Sequence, residues 1–312
     1  MTAYLGLGLV FASIAFVAAN LALSAVTVAV WRLGGRRIRR PGTLFLLRMV
    51  PSLGATAAAA ALALPAYLSF EPQRTGERVS GSHLALVALA CALIVAGAVR
   101  AARSSLETKR IERSWRRVAG VQTVAGVRVH RVPTPLPLAA LVGVMRPRLY
   151  VSGTLIDALT DDECRAVLAH EAGHRRSLDN LKRGLIRLAP DLLGGTRSGR
   201  EIEAAWSAAA EEAADERAAG GVAARRLAVA GALIAAARLA PVRLATVSNF
   251  CDGATIAHRV RRLLDDRPAR LDRPPFSGVL ALSLVAVVLA VAGARALPLV
   301  YALTEAIVRR LQ

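Results

Sequence analysis

The chain has 312 residues, 54% of them hydrophobic, with a mean hydropathy of +0.44 and a formal net charge of +19. That apolar excess excludes a single water-soluble core and asks for several membrane-spanning helices beside one folded domain. Three cysteines, Cys91, Cys164 and Cys251, show neither metal nor redox spacing, which excludes a disulfide-stapled scaffold.

In chain order the apolar residues fall in four blocks, at about 3–31, 43–70, 84–100 and 276–300. Each approaches or exceeds the ~20 residues that cross a bilayer as a helix. The first block has no basic residue before it and is too long for the apolar core of a signal peptide, so it reads as a span. Arg48 lies near one end of the second block, where its side chain reaches the interface. The blocks divide the chain into three spans over 1–101, a domain over 102–274, and a fourth span with a short tail over 275–312.

The positive charge is uneven. Arg32, Arg36, Arg37, Arg39 and Arg40 follow the first block, and a second cluster from Arg100 to Arg117 follows the third. The loop at 71–83 is balanced, and a further basic run at 259–273 precedes the fourth block. By the positive-inside rule the N-terminus lies outside and the central domain in the cytoplasm. The charge is then accounted for by topology and contact with anionic lipid, and no direct nucleic-acid partner is expected.

Within the central domain, residues 103–118 read as a charged helix leaving the membrane. Three β-rich runs follow, at 127–132, 138–144 and 148–152, separated by prolines. Thr160 with Asp161, Asp162 and Glu163 forms a capping box that opens a helix expected to run to about Leu188, before Pro190. A further Ala/Glu-rich helix spans 201–219 and closes at Gly220 and Gly221. The segment 223–240 reads as another packing helix.

The chemistry-bearing motif is His170-Glu171-Ala172-Gly173-His174, an HExxH pattern in the middle of the helix that Thr160 opens. Residues four apart share a helical face, so both imidazoles reach one metal ion while Glu171 stands beside it to activate a water. Gly173 costs about 1 kcal/mol against alanine inside a helix, which suggests that close packing or metal geometry favours the missing side chain. A catalytic zinc site needs a third protein ligand from elsewhere. Glu211 leads, with Glu212, Asp215 and Glu216 as competitors. Asp215, one turn after Glu211, is placed to accept a hydrogen bond from a ligand histidine. His130 and Tyr150 are candidate polar helpers, and His83 and His258 have no metal-like spacing.

HEAGHRRSLDNL after MRPRLYVS, with EEAAD about forty residues later, resembles the BlaR/MecR-type integral-membrane zinc metallopeptidases over residues 137–219, with a further likeness in RVRRLL at 259–264. The resemblance implies one zinc ion per chain held by His170, His174 and Glu211, with Asp215 and Asp179 as supporting acidic residues. It also implies a cytoplasmic BlaI/MecI-like transcriptional repressor as protein substrate, cut in signal transduction. The extracellular penicillin-binding domain of those sensors has no counterpart before Gln312. HtpX-type membrane proteases, acting in membrane-protein quality control, share the same motifs. The expectation is a mainly α polytopic membrane protein with four transmembrane helices. Between the third and fourth lies a cytoplasmic α+β gluzincin-like domain that hydrolyses peptide bonds with Glu171 as its catalytic residue. A non-catalytic membrane scaffold is the rival reading.

Overall fold

The computed structural model describes residues 2–72, 79–144, 146–240, 253–265 and 296–311. It divides into two compact units, one of 1–101, 186–205 and 272–312, the other of 102–185 and 206–271. The fourth apolar block falls mostly outside the described residues. Its last five residues begin α11, a helix at 296–310.

In the first unit, α1 (Thr2–Leu33) packs against α2 (Pro41–Ala57), which passes through a π-helical stretch (Ala58–Ala63) into α3 (Leu64–Phe70). Proline at the first helical position starts α2 without losing a hydrogen bond. Helix α4 (Gly81–Val118) begins here. The stretches 4–33, 41–70 and 81–118 are long and apolar enough to cross a membrane. They leave Leu5, Leu9, Leu21, Leu84 and Val95 more than half exposed, a surface that lipid rather than water suits. Arg48 is wholly buried, with Nη1 2.7 Å from Asp191 and Nε 2.9 Å from Glu203. The arginine expected to reach the interface is thus tied instead to two carboxylates, Asp191 just before α8 (Arg197–Ala219) and Glu203 within it.

Two expectations are corrected here. The third block and the charged helix after it form one continuous 38-residue helix, α4, because no glycine or proline interrupts 98–118. The helix expected over 161–188 breaks at Ser177 and Leu178, giving α6 (Asp161–Arg176) and α7 (Asp179–Leu188). Leu178 adopts the left-handed conformation, φ 55°, which ends a helix and is unfavourable for a leucine.

The second unit holds a four-stranded sheet of β1 (Gly120–Val124), β2 (Val127–Val132), β3 (Ala139–Val142) and β4 (Arg148–Ser152), in the order β1-β2-β4-β3. Strand β1 was not foreseen. It forms a hairpin with β2 through Ala125 and Gly126, both at positive φ, as a two-residue turn requires. β2 and β4 run parallel and β3 pairs antiparallel with β4, so β3 is an edge. One face packs Val129 and Val151 against Leu155 of α5 (Gly153–Ala158) and Leu168 of α6. Behind α6 lie the later part of α8 (Arg197–Ala219), α9 (Ala223–Leu239) and α10 (Gly253–Leu264), joined through Ala166, Ala218, Val229 and Leu263.

Candidate metal centre

Helix α6 begins with both halves of the capping box: the Thr160 hydroxyl accepts from the Glu163 N–H, and the Glu163 carboxylate accepts from the Thr160 N–H. That fixes the start of the helix and the phase of everything after it. Three turns on, His170 and His174 lie on one face with their Nε2 atoms 3.1 Å apart. Glu211 on α8 meets them symmetrically, Oε2 3.5 Å from Nε2 of His170 and Oε1 3.5 Å from Nε2 of His174. The ligand atoms of these three residues all lie within 4.8 Å of one another.

What brings Glu211 so close is Gly173. A Cβ there would meet the Ala214 Cα at 3.3 Å and its Cβ at 3.5 Å, so α6 and α8 touch backbone to side at this point. Glu211 and Asp215 flank Ala214 on α8. The competing carboxylates turn elsewhere: Glu212 faces His258 at 3.3 Å and Arg262 at 3.8 Å, while Glu216 faces Arg226 at 3.3 Å.

Each histidine is held from behind by a carboxylate. Asp215 Oδ1 lies 2.9 Å from His170 Nδ1, and Asp179 Oδ2 lies 2.8 Å from His174 Nδ1. The two acids accept the Nδ1 protons, so that both Nε2 atoms are aimed at the same point, the arrangement that supports ligating histidines. The helix break serves this contact, because Asp179 comes back to His174 only after the turn at Leu178.

Sequence reasoning passed over Arg259 as an individual residue. On α10, forty-four positions from its partner, it binds both oxygens of Asp215 at 2.7 and 2.8 Å and stands 3.2 Å from Glu211 Oε2. Its guanidinium is almost wholly buried. Burial works against its charge, but the facing Asp215 and Glu211 outweigh that and raise its pKa further. The alternation of arginines in RVRRLL was visible. Which of them turns inward was not.

The charges hold one another. Burial disfavours a charged His170, yet the facing carboxylates of Asp215 and Glu211 raise its pKa to about 9; His174, facing Asp179 and Glu211 against the same burial, is raised to about 10. Burial would raise Glu211, but the two histidines and Arg259 take it well below the usual carboxylate range. Glu171 is buried on the same helix. Burial dominates and lifts its pKa, opposed by the two histidines and by a hydrogen bond from the Leu141 backbone on β3.

The donor set fits Zn²⁺: two imidazole nitrogens oriented through their Nδ1 partners and a convergent carboxylate on a second helix, with His170 and Glu171 in the wall of a cavity. Glu211 Oε2 is buried without a hydrogen bond among the described residues, a lone pair suited to a cation. His130 and Tyr150 stack on each other with ring centroids 5.0 Å apart, and Tyr150 also packs on Trp115. No contact among the described residues joins them to the histidine pair. His83 belongs to the first unit, where its Nδ1 accepts from the Ser80 N–H and its Nε2 lies 3.0 Å from the Val308 carbonyl.

Residues 105–248 match the family model of Peptidase family M48, which supports a zinc metallopeptidase of membrane type; the match spans somewhat under half of the chain. It contains the HExxH helix, Asp179, Glu211 and Asp215, and ends before Arg259. No curated protein and no solved structure matches the chain.

Proposed function

We propose that the chain is a membrane-anchored zinc metalloendopeptidase that cuts a protein at the cytoplasmic face, with His170, His174 and Glu211 as zinc ligands and Glu171 as general base. The observation that carries this is the convergence of the two Nε2 atoms and the Glu211 carboxylate on one point, each histidine backed by its own acid, with a buried glutamate beside them. A purely structural metal site has no use for Glu171.

Zinc held there supplies Lewis acidity, polarising the scissile carbonyl and acidifying water. Glu171 takes the proton of the attacking water, and its raised pKa suits it both to accept that proton and to return it to the leaving amine. Asp215 and Asp179 keep the imidazoles in the tautomer that presents Nε2. Arg259 compensates the charge of Asp215 and Glu211, so the acidic side of the site is not left unbalanced.

Strand β3 is the sheet edge beside α6, and an extended substrate segment pairs with it, bringing its scissile bond toward Glu171. The three long apolar helices hold the enzyme in the membrane. The arginine clusters after the first and third support an outward N-terminus and a cytoplasmic site. A BlaI/MecI-like repressor is the substrate that the motif resemblance favours; membrane-protein quality control, as in HtpX-type proteases, is the second reading, and the M48 match of 105–248 leaves both within reach.

The test is zinc content and proteolysis of the full chain in detergent, beside Glu171→Gln and Glu211→Ala, on a labelled unfolded protein. One zinc and cleavage in the wild type, zinc without cleavage in Glu171→Gln, and loss of zinc in Glu211→Ala are expected. Zinc binding with unchanged behaviour in Glu171→Gln would move the scaffold reading ahead.

A further inference from the structure

The edge strand β3 is not free along its length. In its pairing with β4, the Ser152 N–H donates to the Leu138 carbonyl at 2.8 Å, so 138, 140 and 142 point their backbone groups at β4. Residues 139, 141 and 143 therefore point outward. The Leu141 backbone faces the buried Glu171 carboxyl and draws its pKa down against the burial that raises it. The Asn180 side-chain amide donates to the Leu141 carbonyl at 2.8 Å and to the Gly143 carbonyl at 2.9 Å, using both its hydrogens. Among the described residues that leaves Ala139 as the strand residue whose outward N–H and C=O are unpaired.

Ala139 also lines a cavity of ≈ 60 Å³ with apolar walls, formed with Val167, Val229, Leu233 and Ala236, and with His170 and Glu171 in its wall. At ~10–15 Å³ of such space per water-sized atom, it takes roughly four non-hydrogen atoms, the size of a valine or leucine side chain and too small for an aromatic ring.

We infer that Asn180 is a positioning residue that closes the Leu141–Gly143 half of the β3 edge, so that a substrate strand pairs only at Ala139 and places a Val-, Leu- or Ile-sized side chain beside the scissile bond in the adjoining cavity. The inference rests on the proposed peptidase reading and adds to it a substrate class and a single register. An edge strand with all its outward groups free accepts partners in several registers, each putting a different bond near Glu171. Asn180 removes that freedom, and Asp179 beside it holds His174, so one turn of α7 fixes both a metal ligand and the substrate strand.

The experiment uses the full chain in detergent with zinc. Cut bonds in reduced, carboxymethylated casein are mapped by mass spectrometry, and Glu171→Gln protein is titrated by fluorescence anisotropy with labelled decapeptides carrying Ala, Val, Leu or Trp at one position. Wild type is expected to place Val, Leu or Ile at one fixed position beside the cut, and Leu peptide to bind roughly tenfold tighter than Trp peptide. Asn180→Ala and Asn180→Asp are expected to keep zinc and melting temperature but to scatter the cut sites, with kcat/KM lower by about 10- to 100-fold. Aspartate has the shape of asparagine without the donors, so an Asn180→Asp enzyme with wild-type cut sites and affinity overturns the inference. Ala236→Phe, which leaves Asn180 untouched, is expected to move the preference to Gly and Ala. Should the Asn180 variants not fold, an unchanged preference in Ala236→Phe overturns it. Cleavage without any residue preference in the wild type overturns the inference and leaves the peptidase reading standing. Selective peptide binding that loses its selectivity in Asn180→Asp, without cleavage by wild type, supports the single register and sinks the peptidase reading.

Discussion

His174 and Asp179 are joined across a helix break: Nδ1 of the histidine lies 2.8 Å from Oδ2 of the aspartate, and the left-handed turn at Leu178 separates them. His170 has its equivalent in Asp215, but the two supports are not equal. Asp179 binds His174 and approaches Lys182 at 3.9 Å, whereas Asp215 also carries the buried Arg259. Asp179→Asn is therefore expected to lower zinc affinity by about 10- to 100-fold with little loss of stability. Asp215→Asn lowers affinity and also strands Arg259, at about 3–5 kcal/mol for a buried pair broken from one side. Competition with a chelator and thermal unfolding of the same two proteins check this, and equal melting temperatures would contradict it.

Gly173→Ala sets two effects against each other. Alanine favours the helix by up to about 1 kcal/mol, but its Cβ would stand 3.3 Å from the Ala214 Cα, a contact that α8 relieves only by moving away. Overpacking of this kind costs about 1–3 kcal/mol, so the net change is destabilising, and Glu211 moves off the histidines with the helix. Lower zinc content at unchanged expression is the expected result. A protein that gains stability and keeps its zinc would show that α8 has slack at this point.

The parts of this molecule that depend on local signals were legible. Thr160 and Glu163 announced the start of α6, spacing of four put His170 and His174 together, and the alternating runs at 127–132 and 148–152 are strands with the expected ends. The missing side chain at Gly173 pointed to close packing or to metal geometry, and a close approach by Ala214 is what the structure shows. Other features had no local signal. A leucine at positive φ breaks the helix at 178 without glycine or proline to mark it, and the hairpin turn at Ala125 and Gly126 carries only half of the usual two-residue signature. Arg259 and Asn180 act over 44 and 37 or more positions in sequence, where spacing has no periodicity to read. Arg48 looked like an interfacial arginine because its partners, Asp191 and Glu203, lie more than 140 residues away.

The metal-free site should respond to pH in a definite direction. The folded-state values of His170 and His174, about 9 and about 10, lie above the ordinary 6.5, because neighbouring carboxylates overcome the burial that opposes the charge. A raised value in the folded state means that this stabilisation is fully present below pH 6.5 and is lost as pH rises through 9 and 10. Zinc requires both rings neutral at Nε2. Binding near pH 7.5 is then expected to release about two protons, and affinity to rise steeply toward pH 9. Calorimetry in buffers of different ionisation enthalpy measures the count directly. Release of no protons would mean that the histidines are already neutral in the metal-free protein.

Arg48 tests the first unit independently of the metal. Its side chain is wholly buried, binds Asp191 at 2.7 Å and Glu203 at 2.9 Å, and Ser52 donates to the same Asp191 oxygen at 3.0 Å. Asp191 in turn caps the short 3₁₀ turn at Leu192–Gly195 by accepting from the Gly194 N–H. Arg48→Met removes the cation and leaves two carboxylates facing an apolar helix, which is expected to cost about 3–5 kcal/mol and to lower the melting temperature in detergent. Replacing the Asp191 charge as well, in Arg48→Met/Asp191→Asn, takes away one of the stranded anions. The double variant should then be more stable than the single one, because a buried pair is costly to break and much less costly to delete. A double variant that melts lower still, by the sum of the two single losses, would show that Arg48 and Asp191 stabilise the unit through separate contacts rather than through each other.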